Sequence, residues 1–128
     1  APGGSPNIDV AIPIILEEGI RKRGISLPRM AAFLSTNAAK RFGLYPQKGA
    51  IRIGTDADFI LVDMDRKWVY SRENSLSKTK DIHFQYEGRE IGCRIEATFV
   101  RGMAVYRDGS ICVDAGYGNL VKPAVAHI

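Results

Sequence analysis

The sequence predicts an α+β fold in which two helices precede a small β-sheet. Apolar residues recur at helical spacing through the first 45 residues, and after Pro46 the pattern changes to alternation and short apolar runs. Asp108-Gly109 also separates two strand-like segments, which is typical of a hairpin turn. Helices followed by strands fit an α+β domain, and they also fit the end of a larger one.

Turn and cap residues mark both predicted helices. The first follows Asp9 in "VAIPIILEEGIRKRG", with Pro13 in its first turn and Gly24 as its stop. The second has Ser26 as its cap, a proline at its start and Gly43 at its end. Both helices therefore have start and stop signals in addition to apolar spacing.

At least five strands are predicted between residues 48 and 113. The segments that carry them are "AIRIG", "DFILVD", "KWVYS", "CRIEATFVRG" and "MAVYRDGSICVDAG". The connection "ENSLSKTKDIHFQYEG" has no clear period, so we expect an ordered but irregular segment there.

Composition argues against several classes of protein. The 18 basic and 14 acidic residues of the 128 are interspersed, so the net charge of +4 indicates a solvated surface, not a nucleic-acid-binding stripe. No apolar run reaches the length of a membrane span, and the start of the chain does not resemble a signal peptide. We therefore expect a cytoplasmic protein without nucleic-acid or membrane partners.

Asp56 and Asp58 raise the question of chemistry, because paired carboxylates directly before the apolar run "FILV" can serve catalysis or metal binding. Gly54 and Thr55 before them favour a turn, in which aspartates bond to backbone N–H groups. No histidine or third carboxylate stands nearby in the sequence. We predict that the pair shapes a hairpin and is not catalytic.

The remaining reactive residue types form no recognisable constellation. His83 and His127 are far apart and belong to no metal-binding motif, so surface or packing roles are expected. Cys93 and Cys112 match neither a CxxC motif nor a disulfide scaffold, which favours buried thiols in a reducing compartment. We predict no catalytic residue and no metal ligand in this chain.

Aromatic residues in the strands have a simple interpretation. Trp68 and Tyr70 alternate with Val69, and this spacing favours a sheet core or a protein interface over base stacking.

Two stretches resemble the cyclic amidohydrolases. The stretch "STNAAKRFGLYPQKGAIRIGTDADFILVD" is similar to the segment by which these enzymes leave their catalytic barrel and enter a small β domain. The later "ATFVRGMAVYRDG" resembles the strands that follow. Allantoinase is the best match, through "KRGISLP" and "YEGREIGCRI", with dihydroorotase and hydantoinase as close alternatives.

The resemblance implies a metal-dependent (β/α)₈ barrel that opens a cyclic amide with water. Two divalent ions, usually zinc, are held in that family by an H-x-H pair, a carboxylated lysine, two further histidines and an aspartate. None of these ligands matches a residue of this chain. We therefore expect the chain to hold no metal, and to be inactive alone because hydrolysis needs a metal-activated hydroxide.

The same resemblance implies a division of the chain and a binding loop. Residues 1–45 would be the last barrel loop and its helices, and residues 46–128 would belong to a small β-sandwich domain. In the family the loop P-x-G-x-x-G-[LI]-E helps to hold the cyclic amide. The substrate-binding residues implied by this match are Gly4, Ser5, Pro6 and Asn7, with Asn7 in place of the second glycine.

The family's β domain also takes strands from the beginning of the enzyme, which this sequence lacks. We therefore expect an exposed sheet edge that leads to homo-oligomers or to pairing with a complementing chain. A non-enzymatic binding or assembly module derived from the family remains the alternative interpretation.

Overall fold

The computed structural model describes residues 8–82 and 85–123. The chain divides into two compact units: Ala1–Gly24 with Asp63–Arg94, and Ile25–Val62 with Ile95–Ile128. Helical segments and antiparallel strand pairs are both present, which confirms the predicted α+β class.

The first helical segment begins as α1 (Ala11–Leu16) and continues as a π-helical turn over Glu17–Arg21. Gly24 ends the segment as predicted: its φ is +64°, and its N–H donates to the Ile20 carbonyl at 3.1 Å. A residue with a side chain would be strained in this left-handed conformation, which explains the glycine.

The second helical segment runs through α2 (Leu27–Ala31), a π-helical stretch (Ala32–Thr36) and α3 (Asn37–Arg41). Ser26 holds the extended N-cap position, although its side chain makes no capping hydrogen bond. Gly43, with a φ of +67°, follows the last turn. The predicted start and stop are therefore both confirmed.

The described residues contain six strands, in two sheets. They are β1 (Phe59–Asp63), β2 (Trp68–Val69), β3 (Glu90–Ile91), β4 (Arg94–Val100), β5 (Met103–Arg107) and β6 (Ser110–Ile111). The larger sheet has the order β1-β4-β5-β6, and β2 pairs with β3 in a separate antiparallel ribbon. The turn at Asp108-Gly109 joins β5 to β6, as its sequence predicted.

The core of the first unit forms around Val10, Tyr70 and Ile91, all of which are almost completely buried. Trp68 packs against this cluster, and its indole N–H donates to the Cys93 carbonyl at 2.9 Å. Tyr70 lies edge-on to Trp68, with ring centroids 6.2 Å apart. Of the two roles that the sequence pattern favoured, a sheet core or a protein interface, the structure shows the core.

The second unit is held by side chains from its helices and from its larger sheet. Met30 and Ala39 are buried on the helical segment, and Ala97 is buried on β4. Phe59 of β1 stacks on Phe99 of β4, with ring centroids 4.5 Å apart. Stacking across neighbouring strands fixes the position of β1 in the sheet.

The segment "AIRIG" was predicted as a strand, and this prediction is wrong. It contains the beginning of a turn in which the Thr55 N–H donates to the Arg52 carbonyl at 3.2 Å, and the Thr55 hydroxyl donates to Ala50 at 3.1 Å. Ile51 and Ile53 are largely exposed, and no strand among the described residues pairs with this segment. β propensity depends on such a partner, which a sequence pattern does not reveal.

The irregular connection between β2 and β3 is present as expected. In its described part it contains short 3₁₀ turns at Arg72–Asn74 and Lys80–Ile82. Among the residues that the structure describes, no helix is long and apolar enough to cross a bilayer.

Candidate functional site

The predicted substrate loop precedes the first residue that the structure describes. Gly4, Ser5, Pro6 and Asn7 all lie outside the described residues, so their role stays a prediction.

Among the described residues, Asp9 is the charged residue that lies nearest to this loop in the sequence. One of its carboxylate oxygens accepts a hydrogen bond from the Ser75 hydroxyl, and that hydroxyl in turn accepts from the Ser77 N–H at 3.1 Å. The other oxygen, Oδ1, is buried and has no hydrogen-bond donor among the described residues. Asp9 thus fixes the beginning of the first helical segment to the connection between β2 and β3. Sequence reasoning missed this link because the two residues are 66 positions apart.

Asp56 and Asp58 both face Lys48. The Lys48 ammonium lies 2.8 Å from an oxygen of Asp56 and forms a second ion pair with Asp58. The other oxygen of Asp58 accepts the backbone N–H of Arg101 at 2.8 Å. The aspartates therefore hold the turn before β1, which confirms their predicted structural role, although the turn is not flanked by the expected strand at 50–54.

The pKa shifts of Lys48 and Asp56 do not suit acid–base catalysis near neutral pH. Burial acts to lower the pKa of Lys48, but hydrogen bonds to the two aspartates outweigh it, and the pKa is raised. The hydrogen bond from Lys48 holds the pKa of the Asp56 carboxyl below its usual value. Near neutral pH, Lys48 stays protonated and Asp56 stays ionised, so neither serves as a proton-transfer group there.

A shallow cleft of about 290 Å³ borders the cluster. Its lining residues are Gln47, Lys48, Asp56, Arg101, Asn119, Leu120, Val121 and Lys122. The Arg101 guanidinium donates to the Tyr117 carbonyl at 2.7 Å and lies over the Tyr117 ring. These contacts hold the Arg101 side chain in place. In the sequence, Arg101 is the arginine of "VRG" in the second stretch that resembles the cyclic amidohydrolases.

The cysteines differ in their surroundings, and both are free thiols. Cys93 is fully buried with its Sγ 3.3 Å from the Pro13 carbonyl, and burial raises the pKa of this thiol. A raised pKa disfavours the reactive thiolate, so the predicted packing role of Cys93 is confirmed. Cys112 is exposed, which corrects the prediction that both cysteines are buried. His83 and His127 lie outside the described residues.

Comparison with known proteins assigns this arrangement to a family. The model of the amidohydrolase family matches residues 10–105, which is most of the chain. The chain belongs to the amidohydrolase family. The family expectation drawn from the two sequence stretches is therefore confirmed.

Relatives of this amidohydrolase chain carry two kinds of name. An allantoinase from Deinococcus radiodurans is 37% identical over 123 residues, and an L-hydantoinase from Paenarthrobacter aurescens is 32% identical over the same length. In both cases the match covers 94% of this chain and 26% of the relative. The chain therefore spans about a quarter of the length of these relatives.

Solved structures show the same fold in part of a larger chain. A D-hydantoinase (dihydropyrimidinase) from Thermus matches with a TM-score of 0.85 at 31% identity, covering 95% of this chain and 26% of that one. An L-hydantoinase from Arthrobacter aurescens matches with a TM-score of 0.81 at 29% identity, over 89% and 25% of the respective chains. The α+β arrangement is thus a recurring part of hydantoinase structures.

Amidohydrolases are in general metal-dependent, so we tested the described residues as a metal site. They contain no group of three or more histidine, cysteine, aspartate or glutamate side chains placed to hold an ion. Asp56 and Asp58, the carboxylate pair singled out in the sequence, are both ion-paired with Lys48. The described residues therefore do not fit the family's metals.

Proposed function

We propose that these residues are the C-terminal part of a metal-dependent cyclic amidohydrolase whose substrate is allantoin. The observation that supports this proposal best is the match to the Deinococcus allantoinase, at 37% identity over 94% of the chain. The motifs "KRGISLP" and "YEGREIGCRI" favour the same group. In this proposal, water opens the ring of allantoin to give allantoate.

The proposal assigns different parts of the enzyme to the two ends of the chain. Residues 1–45 form the last loop and helices of a (β/α)₈ barrel, and residues 46–128 form part of a small β-sandwich domain. This assignment rests on the family resemblance and on the coverage of about a quarter of each relative. The two compact units of the structure follow different boundaries.

The catalytic metals belong to the part of the enzyme beyond these 128 residues. Two divalent ions, zinc in our proposal, would supply the activated water there. The contribution of this chain is to hold the substrate loop, in which Gly4, Ser5, Pro6 and Asn7 offer backbone groups to the cyclic amide. Asp9 follows this loop closely in the sequence, and its hydrogen bond with the Ser75 hydroxyl anchors it. This anchor supports the proposed role of the loop.

We further propose a cytoplasmic enzyme that assembles through sheet edges, either with its own copies or with a complementing chain. The support is the exposed edge of β1, which has a neighbour on one side only in the described sheet. An apolar edge strand such as "FILVD" readily accepts another strand on its open side.

A hydantoin is the second candidate substrate, and one observation favours it. Several solved structures that match this chain in shape, including the Thermus enzyme at a TM-score of 0.85, are hydantoinases. Shape alone does not separate the substrates, because both kinds of relative belong to one family.

The test compares substrates on the longer natural chain that contains these residues. We expect kcat/KM for allantoin to exceed that for hydantoin and for dihydroorotate by at least about tenfold, a ratio that corresponds to ~1.4 kcal/mol in transition-state binding. A preference for hydantoin would indicate that hydantoin, and not allantoin, is the substrate. A chain that opens none of the three rings after loading with zinc would support the binding module.

The substrate loop has a separate test in the same longer chain. Ser5→Ala and Asn7→Ala are expected to raise KM for allantoin several-fold, because each change alters the conformation in which the loop offers its backbone groups to the ring. Lys67→Ala, a surface change outside the loop, is the control and should leave KM unchanged. Unaltered KM in both loop variants would remove the binding role from these residues.

A further inference from the structure

The first helical segment is anchored at its start by two neighbouring residues. Val10 is almost completely buried in the core of the first unit, and its carbonyl accepts the Ile14 N–H at 3.0 Å. Asp9, directly before it, accepts a hydrogen bond from the Ser75 hydroxyl. The chain is therefore fixed at the two residues that lie between the predicted substrate loop and the first turn of the helix.

The Ser75 hydroxyl that binds Asp9 is itself held within the connection between β2 and β3. Ser75 follows a short 3₁₀ turn, and its N–H donates to the Arg72 carbonyl at 3.1 Å. Its Oγ accepts the Ser77 N–H at 3.1 Å while its own hydrogen is donated to Asp9. The Arg72 N–H in turn donates to the Glu87 carboxylate at 2.9 Å, which ties the two ends of the connection together. Ser75 is therefore a donor in a fixed position.

The Asp9 carboxylate has a second oxygen that can accept a further hydrogen bond. Oδ2 accepts from Ser75, whereas Oδ1 is buried and has no donor among the described residues. Buried polar oxygens in folded proteins are usually bonded, because an unsatisfied one is costly. Oδ1 is therefore an acceptor for a group outside the described ranges, and in the sequence the backbone N–H groups nearest to Asp9 in this category belong to the predicted substrate loop.

We propose that Asp9 and Ser75 are positioning residues for the cyclic amide, because their hydrogen bond sets the position of the substrate loop. This inference rests on the proposed function and adds to it a contribution from residues 46–128, since Ser75 is 66 positions from Asp9. Only Ile8 separates Asn7 from Asp9, and two residues span at most about 7 Å. A displacement of Asp9 is therefore passed on to the loop, and small displacements of groups that hold a substrate weaken its binding.

Steady-state kinetics of the longer natural chain test this role, with whichever of allantoin and hydantoin it opens faster. Asp9→Ala and Ser75→Ala should each raise KM at least about threefold and change kcat less than about twofold, because they alter substrate binding and not the reacting groups. The double variant should raise KM no more than the larger single change, because both substitutions remove one bond. Ser75→Thr retains the hydroxyl at an extended backbone position and should restore KM. Ser77→Ala, which keeps the bond to Asp9, is the matched control and should leave KM unchanged.

Partial unfolding does not imitate the expected result, because it reduces the amount of active enzyme and so lowers the apparent kcat without changing KM. Unchanged KM in both alanine variants of an active enzyme would reject the positioning role and keep the proposed function. Additive increases in the double variant, or an equal increase in Ser77→Ala, would also reject the role, because the effect would not come from the bond between Asp9 and Ser75. An unsubstituted longer chain that opens neither ring after loading with zinc would reject the proposed function and this inference together.

Discussion

Lys48 and its two aspartates show how charged residues can hold a turn. Asp56 is bound through side chains, by Lys48 and by Gln47 at 3.2 Å. Asp58 differs, because it also accepts the backbone N–H of Arg101 and so connects the turn to the end of β4. The two carboxylates therefore have unequal structural importance.

Substitution of Asp58 should test this difference. We expect Asp58→Ala to lower the free energy of unfolding by about 2 kcal/mol, because it removes a charged acceptor from a part-buried N–H group. Asp56→Ala is the matched control and should cost clearly less. Urea denaturation of both variants measures the difference, and equal losses would contradict the account.

Glu18 makes the stability of the first unit depend on pH in the acidic range. Hydrogen bonds from Lys22 and Arg23 lower the pKa of Glu18 from 4.5 to about 2. A carboxylate whose folded pKa is lowered stabilises the fold above its unfolded pKa, and this stabilisation is lost as the pH falls from 4.5 to about 2. The thermal midpoint should therefore fall over this range, and it should fall less in Glu18→Gln. Parallel curves for the two proteins would argue against the effect.

At the scale of elements, the sequence indicated most boundaries correctly. Gly24 and Gly43 mark helix ends because only glycine adopts their positive φ without strain, and this preference is visible in a sequence. The apolar runs of β1 and β4 were also visible, because strand patterning is local. The segment 50–54 was misassigned because its apolar alternation has no partner strand among the described residues. The bond between Asp9 and Ser75 was missed because it joins distant positions.

Two glycines of the turn before β1 offer a matched comparison at this scale. Both have positive φ, +78° at Gly49 and +88° at Gly54, so alanine at either position costs roughly 1–2 kcal/mol in backbone strain. Gly54 has open space around it, whereas a Cβ at Gly49 collides with the second helical segment. We expect Gly49→Ala to destabilise the protein by about 1–3 kcal/mol more than Gly54→Ala in urea denaturation. Similar losses would show that the turn does not press on the helix.

At the scale of the whole molecule, the family could be identified from sequence but the active site could not. The motifs that carried the resemblance, such as "NAAKRFGL", lie in segments that join and shape elements. The residues expected to bind substrate precede the described part of the structure, and no metal ligand could be matched in the sequence. The 128 residues therefore identify part of an amidohydrolase, and Ile51 and Ile53 face outward in it.

The mass of the natural protein that carries this sequence tests the central claim most directly. A chain that matches 26% of its relatives should come from a protein about four times its own length. Intact-mass spectrometry, with sequencing of the peptide that contains Ala1, should therefore show residues before Ala1 and a mass several times 14.1 kDa. A natural protein of 14.1 kDa that begins at Ala1 would contradict the account.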